Sequence, residues 1–228
     1  MKVYIMADGE GKRWNNWGGV PKQLLKVNDE TLLDRMIRLC KEHGIDDITI
    51  VGDFKNEFAK NIKLNAKDKV ELWLKTAKHS KEPFILLNGD IYYTDNIIRD
   101  CIERDTTEWI HYMCPSGNQH TGKTWPEGYL YKVIDIDKWI SKLSELKEKI
   151  DKKEITLSTG WIINNYLNEE ETLTEFWGIG KHDIFWCDET DDFDFSSGEV
   201  LNGFDNDYLR FIHFTGFKGM EDGGTNDI

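Results

Sequence analysis

The sequence predicts an α/β domain with three layers (an αβα sandwich), in which helices cover both faces of a central, mostly parallel (mixed) β-sheet. Short apolar runs at residues 2–7, 48–51 and 84–87 have the length and composition of buried strands. Stretches with apolar residues at helical spacing separate these runs. Strands that alternate with helices are typical of parallel sheets, because a helix returns the chain to the end of the sheet where the next strand begins.

The size and charge of the chain fit a single soluble domain. Its 228 residues are enough for one α/β domain with a substantial core. The 42 acidic and 29 basic residues give a formal charge of −13, which disfavours nonspecific binding to nucleic acid or to an anionic membrane. No apolar run approaches the ~20 residues that span a bilayer, and a strand begins at the N-terminus, so we expect neither a membrane segment nor a signal peptide.

The cysteines indicate a reducing compartment. They are scattered through apolar stretches without a Cys-x-x-Cys pair, which favours buried thiols over a zinc site or disulfides. We therefore expect a cytoplasmic protein. The four residues are Cys40, Cys101, Cys114 and Cys187.

The first strand leads into a loop with the features of a phosphate-binding site. Residues 9–13 read Gly-Glu-Gly-Lys-Arg, and the pair Pro21-Lys22 follows the loop. Glycines allow the backbone to turn sharply and to bring its N–H groups close to an anion, while Arg13 and Lys22 add the fixed positive charge that a polyphosphate needs. On its own, the Gly-x-Gly pattern is more typical of a plain turn.

The next segment predicts a strand, a helix and a parallel strand. Thr31 and Asp34 have the spacing of a capping box, and the helix they begin would end at His43-Gly44. Residues 48–51 would then pair beside the first strand after a right-handed crossover.

A short helix is expected at residues 54–61, followed by a short strand or turn at residues 62–64. Asp68 is expected to cap a further helix over residues 69–79, whose apolar side would be buried.

A carboxylate follows the buried strand at residues 84–87. The strand runs into Asn-Gly-Asp, which ends at Asp90, and ligands bind beyond the carboxyl ends of strands in open parallel sheets. Asp90 therefore lies where ligands bind in such sheets. The structural alternative is a turn residue that caps the next helix, but Thr94 is better placed to cap the helix expected at residues 95–103.

The second half of the chain continues the alternation of strands and helices. A long polar loop between residues 115 and 126 has the length of a lid or an acceptor-binding segment. An acidic run begins at Asp188, and a solvated surface loop is its structural alternative. Strands are expected at residues 108–114, 129–134 and 183–187, and helices at residues 138–152 and 162–167.

The first 52 residues closely resemble the opening of the nucleotidyltransferase superfamily. In sugar-1-phosphate pyrophosphorylases, in phosphocholine and methylerythritol-phosphate cytidylyltransferases and in molybdenum-cofactor guanylyltransferases, this opening reads small-small-Gly-x-Gly-x-Arg, a loop, Pro-Lys, an apolar strand, a helix and Gly-Ile-x-x-Ile. The chain contains these features in the same order, from Ala7 to Ile48. Asp8 is a departure, because these families place Ala or Gly there.

The resemblance implies a fold like that of the nucleotide-diphospho-sugar transferases. It also implies one domain over residues 1–228, with a nucleotide-binding half at residues 1–114 and an acceptor-binding half at residues 115–228.

The resemblance also implies a set of site residues. Arg13 and Lys22 would be catalytic and would hold the triphosphate. In these families a strand that ends in Gly-Asp supplies one metal ligand, here Asp90, and a late acidic signature supplies the second, here Asp188. The residues implied to bind the nucleotide are Ala7, Asp8, Gly9, Glu10, Gly11 and Asn88.

The implied activity is a nucleotidyl transfer that depends on Mg²⁺, or on Mn²⁺ in its place. The substrates would be a nucleoside triphosphate and a small phosphorylated acceptor such as a sugar phosphate, and pyrophosphate would be released. Carboxylate ligands fit Mg²⁺ or Mn²⁺ better than zinc.

The C-terminal region suggests a second interpretation. Residues 211–218 resemble the His-Phe-x-Gly-x-x-Lys signature of glycogenin-type glycosyltransferases, in which the histidine binds the metal. His213 would then join Asp90 and Asp188 around Mn²⁺ in a glycosyltransferase that uses a nucleotide sugar. The Arg13 and Lys22 clamp argues against this alternative, and a histidine in an apolar strand is more often a core residue. A third alternative is a non-catalytic nucleotide-binding module.

Overall fold

The computed structural model describes residues 1–9, 21–24, 26–27, 30–93, 95–114, 127–155, 163, 166–167, 176–178 and 184–186. The strands in this part of the chain are β1 (Lys2–Met6), β2 (Lys26–Val27), β3 (Glu30–Thr31), β4 (Ile48–Val51), β5 (Lys60–Ile62), β6 (Phe84–Asn88), β7 (Ile91–Tyr93), β8 (Trp109–Cys114), β9 (Glu127–Val133), β10 (Phe176–Gly178) and β11 (Ile184–Trp186). The helices are α1 (Leu32–Glu42), α2 (Lys69–Ser80), α3 (Asp95–Glu103) and α4 (Ile136–Asp151), and a 3-10 turn covers Lys22–Leu24.

Seven of these strands form one sheet in the order β10-β8-β9-β6-β1-β4-β5. β1 pairs in parallel with both β4 and β6, β5 pairs in parallel with β4, and β10 pairs in parallel with β8. β9 is antiparallel to both of its neighbours, β6 and β8. The expected mostly parallel, mixed sheet is therefore confirmed.

Alternate residues of the strands face two different layers of helices. Val3 and Ile5 of β1 pack in a core with α1 and α3, whereas Tyr4 and Met6 pack in a second core with α2 and α4. This follows from the two-residue period of a strand, which sends successive side chains to opposite faces of the sheet. The three-layer arrangement is confirmed.

The helix starts agree with the capping signals in the sequence. The Thr31 hydroxyl accepts a hydrogen bond from the Asp34 amide at 3.0 Å, and the Asp68 carboxylate accepts one from the Glu71 amide at 2.8 Å. α4 begins two residues before the expected position, because Asp135 caps it by accepting from the Lys138 amide at 2.9 Å.

The helix expected at residues 54–61 is wrong. Asn56 and Ala59 form an isolated bridge, and the chain then enters β5 beside β4. The Asn61 side-chain amide donates to the carbonyls of Gly52 and Phe54, both at 2.7 Å. Asparagine side chains thus bind backbone groups here and favour a turn over a helix.

Two expectations about composition can be compared with the structure. Cys40 and Cys101 are buried free thiols, as expected, and burial raises the pKa of Cys40 to about 12. The side chains of the other two cysteines lie outside the described residues. Within the described residues, no helix has the length and apolar character needed to cross a membrane.

Candidate active site

The candidate site lies where β1 and β6 end side by side. The two strands are parallel, and Met6 stands opposite Asn88 in their register. Beyond this pair, the Gly89 amide donates to the Met6 carbonyl at 2.9 Å, which keeps the two chains together after the strands end. The segment Ala7–Gly9 and the Asn88–Asp90 turn are thereby placed next to each other, as expected for ligand sites in parallel sheets.

The close approach of these two segments requires glycine at position 89. A Cβ atom at Gly89 would lie 2.9 Å from the Met6 carbonyl oxygen and 3.3 Å from Cγ of Gln23. The first of these contacts is to backbone, which cannot move without separating β1 from β6. The glycine therefore allows the carboxylate of Asp90 to follow directly after a tightly packed turn.

Lys22 and Asp90 form an ion pair at this position. The Lys22 side chain is 7% exposed, and its Nζ lies 3.7 Å from Oδ2 of Asp90, whose side chain is 27% exposed. Lys22 is held by the 3-10 turn that follows Pro21, in which the Leu24 amide donates to the Pro21 carbonyl at 2.9 Å. A buried ammonium group needs an opposite charge close by, and the Asp90 carboxylate supplies it while still facing solvent.

A cleft of about 440 Å³ opens beside this pair. One wall is formed by the ends of β1 and β6, and the other is formed by the N-terminal part of α2 with the residues before it. The cleft has room for a ligand of nucleotide size. It is lined by Met6, Asp8, Gly9, Gln23, Ala66, Lys67, Asp68, Lys69, Leu72, Trp73, Asn88 and Asp90.

The α2 wall was not expected from the sequence. In the structure its charged residues Lys67 and Lys69 line the cleft, and Nζ of Lys69 lies 5.6 Å from the ring centroid of Trp73. The sequence did contain one signal for this wall. A helix that follows a parallel strand begins at the end of the sheet where ligands bind, and Asp68 indicates where α2 begins.

The structure brings together most of the described residues that were expected to bind ligands. Asp8, Gly9, Asn88 and Asp90 line one cleft, and Lys22 contacts Asp90. Ala7 continues β1, where its amide donates to the Val51 carbonyl at 2.8 Å. The proposed site residues Glu10, Gly11, Arg13, Asp188 and His213 lie outside the described residues.

The described part of the chain contains no group of three His, Cys, Asp or Glu side chains that could hold a metal ion. It does show the strand that precedes Asp188 in sequence. β11 pairs antiparallel with β7, so that Trp186 stands opposite Ile91, the residue directly after Asp90.

The comparison with protein families identifies one domain in this chain. The family model of the MobA-like NTP transferase domain matches residues 3–132. The matched segment begins in β1, ends in β9 and includes every described residue of the cleft. Among curated proteins, no sequence matches the chain.

Solved structures with this fold include several nucleotidyltransferases. A protein from Bacillus anthracis described as a glucose-1-phosphate thymidylyltransferase, in complex with sucrose, has a TM-score of 0.57 and 15% identity over 89% of this chain and 99% of that one. CTP:phosphocholine cytidylyltransferase from Streptococcus pneumoniae has a TM-score of 0.55 and 19% identity, over 82% and 93% of the two chains. A UDP-glucose pyrophosphorylase complexed with UDP-glucose has a TM-score of 0.50 and 12% identity, over 63% and 79%.

Proposed function

The chain belongs to the family of MobA-like NTP transferase domains, and from this membership we propose that it transfers a nucleoside monophosphate from a nucleoside triphosphate to a small phosphorylated acceptor. The observation that carries the proposal is the Lys22–Asp90 pair at the edge of the cleft. The pair lies beyond the ends of two parallel strands, where ligands bind in such sheets. A nucleoside triphosphate with its metal ion needs a cation that neutralises phosphate charge, here Lys22, and a carboxylate that binds the metal, here Asp90.

The reaction needs positioning and charge neutralisation more than proton transfer. An oxygen of the acceptor phosphate would form a bond to the α-phosphorus as the bond from that phosphorus to the β-phosphate oxygen breaks, and pyrophosphate would leave with the electron pair. A phosphate monoester has its second pKa near 6, so the attacking oxygen is already largely ionised at neutral pH and requires no general base.

Lys22 has the geometry to stabilise the charge of the phosphates. Its side chain is buried, and its Nζ lies 3.7 Å from Oδ2 of Asp90, a residue that lines the cleft. In a site of low exposure such a charge acts more strongly than in water, and it needs little rearrangement when the transition state forms. We assign it the triphosphate, together with Arg13 from the loop after β1.

A divalent cation fits the donor chemistry of this site. The described donor is the Asp90 carboxylate, which faces the cleft, and oxygen ligands select Mg²⁺ or Mn²⁺. Asp90 and Asp188 would hold the ion. When bound, the ion would neutralise phosphate charge and favour departure of pyrophosphate.

The strand pairing supports the choice of Asp188 as the second carboxylate. β11 ends at Trp186, which stands opposite Ile91. Two residues of chain span at most about 7 Å, so the sequence following β11 can bring Asp188 to the Asn88–Asp90 turn. The acidic run continues from Glu189, so its other members lie further along the chain from β11 than Asp188 does.

The acceptor class is supported by the solved relatives. Their names refer to glucose-1-phosphate, phosphocholine and UDP-glucose, so each of these proteins acts on or binds a small phosphorylated compound. We therefore propose a sugar phosphate or another small phosphate monoester as the acceptor.

The test is an assay of pyrophosphate release with ATP, CTP, GTP or UTP, Mg²⁺ and a panel of phosphate monoesters that contains sugar 1-phosphates and phosphocholine. We expect release only when one nucleotide and one acceptor are present together. Nucleotide sugars are assayed in parallel for release of nucleoside diphosphate. Activity only in that second assay would contradict the proposal and would favour the glycosyltransferase interpretation based on His213.

A further inference from the structure

Gly52 lies at the end of β4, next to the segment that leaves β1. The two strands are parallel, and Met6 stands opposite Val51 in their register. Beyond this pair, the Ala7 amide donates to the Val51 carbonyl at 2.8 Å, which keeps the two chains together after the strands end. Gly52 is therefore placed against the peptide that joins Ala7 to Asp8.

Two features of the backbone require glycine at position 52. A Cβ atom there would lie 2.7 Å from the carbonyl oxygen of Ala7, 2.8 Å from its carbonyl carbon and 3.1 Å from the amide nitrogen of Asp8. All three are backbone atoms, so no side-chain rotation can relieve the contact. In addition, φ of Gly52 is +148°, a conformation that residues with a Cβ atom rarely adopt.

Gly52 is also held from the β5 side. Its amide donates to the Ile62 carbonyl at 2.9 Å, and its carbonyl accepts from the Asn61 side-chain amide at 2.7 Å. The same Asn61 group donates to the Phe54 carbonyl at 2.7 Å. Gly52 cannot move away from β1 without weakening these hydrogen bonds, so a side chain at position 52 would displace the Ala7–Asp8 peptide instead.

The segment that would move forms part of the cleft. Asp8 and Gly9 line it, whereas Gly52 does not. A Cβ atom at Gly9 would meet no described atom within 4 Å, so the segment has space to shift there. The Ala7 oxygen would have to move by about 0.7 Å, from 2.7 Å to the 3.4 Å of ordinary contact with a Cβ atom at position 52. A displacement of ~1 Å in a binding site can cost about 10²-fold.

We propose that Gly52, held by Asn61, is a positioning residue for the nucleotide: the lack of a side chain at the end of β4 sets where the Ala7–Gly9 segment lies in the cleft. The inference rests on the proposed function, in which this segment binds the nucleotide. It makes the end of β4 a part of the site, although neither Gly52 nor Asn61 lines the cleft.

The test compares two glycine-to-alanine variants. Gly52→Ala adds the methyl group that would press on Ala7. Gly44→Ala is the matched control: Gly44 also has a positive φ, +81°, but a Cβ atom there would meet no described atom within 4 Å, and Gly44 does not line the cleft. Both variants should lose stability through backbone strain, and only Gly52→Ala should displace the site.

Two properties are measured at a temperature at which urea unfolding shows that every variant is folded. The first is binding of the α,β-methylene analogues of ATP, CTP, GTP and UTP in the presence of Mg²⁺, by isothermal titration calorimetry. The second is steady-state pyrophosphate release, which gives kcat and the KM for the nucleotide.

We expect Gly52→Ala to bind the analogue about 10 to 100-fold more weakly than wild type. Its KM should rise by a similar factor while kcat stays within about threefold, because contacts made equally in the ground state and the transition state affect KM alone. Gly44→Ala should stay within about threefold of wild type in all three constants. If Gly52→Ala does not fold, Asn61→Ala removes two hydrogen bonds at this turn and should weaken analogue binding by about threefold or more.

Each of the other outcomes overturns a different statement. Wild-type affinity in Gly52→Ala, or in Asn61→Ala where that variant replaces it, would refute the positioning role alone. An equal loss in both glycine variants would show an effect of backbone strain and would also refute it, as would a lower kcat at an unchanged KM. A wild-type protein that binds none of the four analogues would contradict the proposed function itself.

Discussion

The Lys22–Asp90 pair is the central feature at the scale of single residues. The carboxylate of Asp90, 3.7 Å away, helps to stabilise the charge of the Lys22 side chain, which is 7% exposed. The carboxylate is also the group that a cation would bind, so Lys22 and a metal ion would compete for Asp90, and phosphates that bind Lys22 would release the carboxylate for the metal. The pair would thus disfavour metal binding in the absence of nucleotide.

Replacing Lys22 tests this competition. Lys22→Met should bind Mn²⁺ more tightly than wild type when no nucleotide is present, because Asp90 loses its cation, yet its kcat/KM should fall by about 10²-fold or more. The readouts are Mn²⁺ binding by electron paramagnetic resonance and steady-state pyrophosphate release. Lys60→Met is the control, since Lys60 pairs with Asp47 at 2.7 Å on the surface, away from the cleft. Weaker Mn²⁺ binding by Lys22→Met would argue against the competition.

The carboxylate of Asp90 gives the second prediction at this scale. Asp90→Asn keeps the shape of the side chain and removes its charge, so turnover should fall by about 10²-fold or more while the thermal unfolding temperature changes little. A Mg²⁺ titration of the activity measures the effect, and Asp53→Asn, at an exposed carboxylate paired with Lys63, is the control. Full activity of Asp90→Asn at saturating Mg²⁺ would remove Asp90 from the metal site.

At the scale of residues, the sequence predicts a site only where a local signal exists, and the role of Asp90 as a metal ligand stays a prediction. An apolar strand that runs into Asn-Gly-Asp predicted a functional carboxylate at Asp90, and the structure places it in the cleft. Gln23 also lines the cleft, but no binding role is predicted for it from the sequence. Its position beside Asp90 depends on where the 3-10 turn packs, and that arrangement is a property of tertiary structure.

At the scale of elements, α2 connects a capping signal to the site. Asp68 caps the helix by accepting from the Glu71 amide, and the same residue lines the cleft together with Lys67 and Lys69. The cap therefore fixes one wall of the site as well as the start of a helix.

Removing the cap separates these two effects. Asp68→Ala should cost about 1 kcal/mol of stability and should raise the KM for the nucleotide, because the first turn of α2 loosens beside the cleft. Thr31→Ala is the matched control: it removes the cap of α1, which does not line the cleft, and should cost stability without a change in KM. Denaturant unfolding and steady-state kinetics measure the two quantities. An unchanged KM in Asp68→Ala would show that the α2 wall does not contact the nucleotide.

Prediction of the elements from the sequence was good for long, periodic segments and poor for short polar ones. The helices α1, α2 and α3 were expected within one residue of their observed starts, because caps and apolar spacing agree there. The failure at residues 54–61 has a physical cause: Asn56 and Asn61 bind local backbone groups, and β4 offers a free edge to residues 60–62. Neither effect appears in the periodicity of the sequence.

At the scale of the whole molecule, one of the two cores contains a buried histidine that makes the fold sensitive to acid. The core between the sheet and the α2–α4 layer contains a dense aromatic group, and the ring of His111 stacks on Tyr131 with centroids 4.4 Å apart. Burial lowers the pKa of His111 to about 3, so the folded protein keeps this histidine neutral.

The lowered pKa of His111 in the folded protein predicts that stability decreases in acid. In the unfolded chain a histidine titrates near pH 6.5, so between about pH 6.5 and pH 3 the unfolded state binds a proton that the folded state does not, and stability falls by about 1.4 kcal/mol per pH unit as the pH decreases. His111→Phe should remove this contribution. The measurement is the free energy of unfolding in urea at several pH values over that window. Parallel pH profiles for wild type and variant would contradict the assignment.

The sequence predicted the fold class and the family but could not predict the order of the strands. Alternating strands and helices require a mostly parallel sheet with helices on both faces, and the opening motif indicated the nucleotidyltransferases. The position of β9 as the antiparallel strand between β6 and β8 depends on long-range pairing. Local propensity does not specify such pairing.

The central claim, nucleotidyl transfer in the cleft between β1, β6 and α2, is tested most directly by following the α-phosphate. The enzyme is incubated with Mg²⁺, the phosphate monoester that supports activity and its nucleoside triphosphate labelled at the α-phosphorus. We predict that the label moves to a product containing both nucleotide and acceptor, with one pyrophosphate formed for each product. Release of the label as free nucleoside diphosphate, with orthophosphate as the other product, would contradict the account.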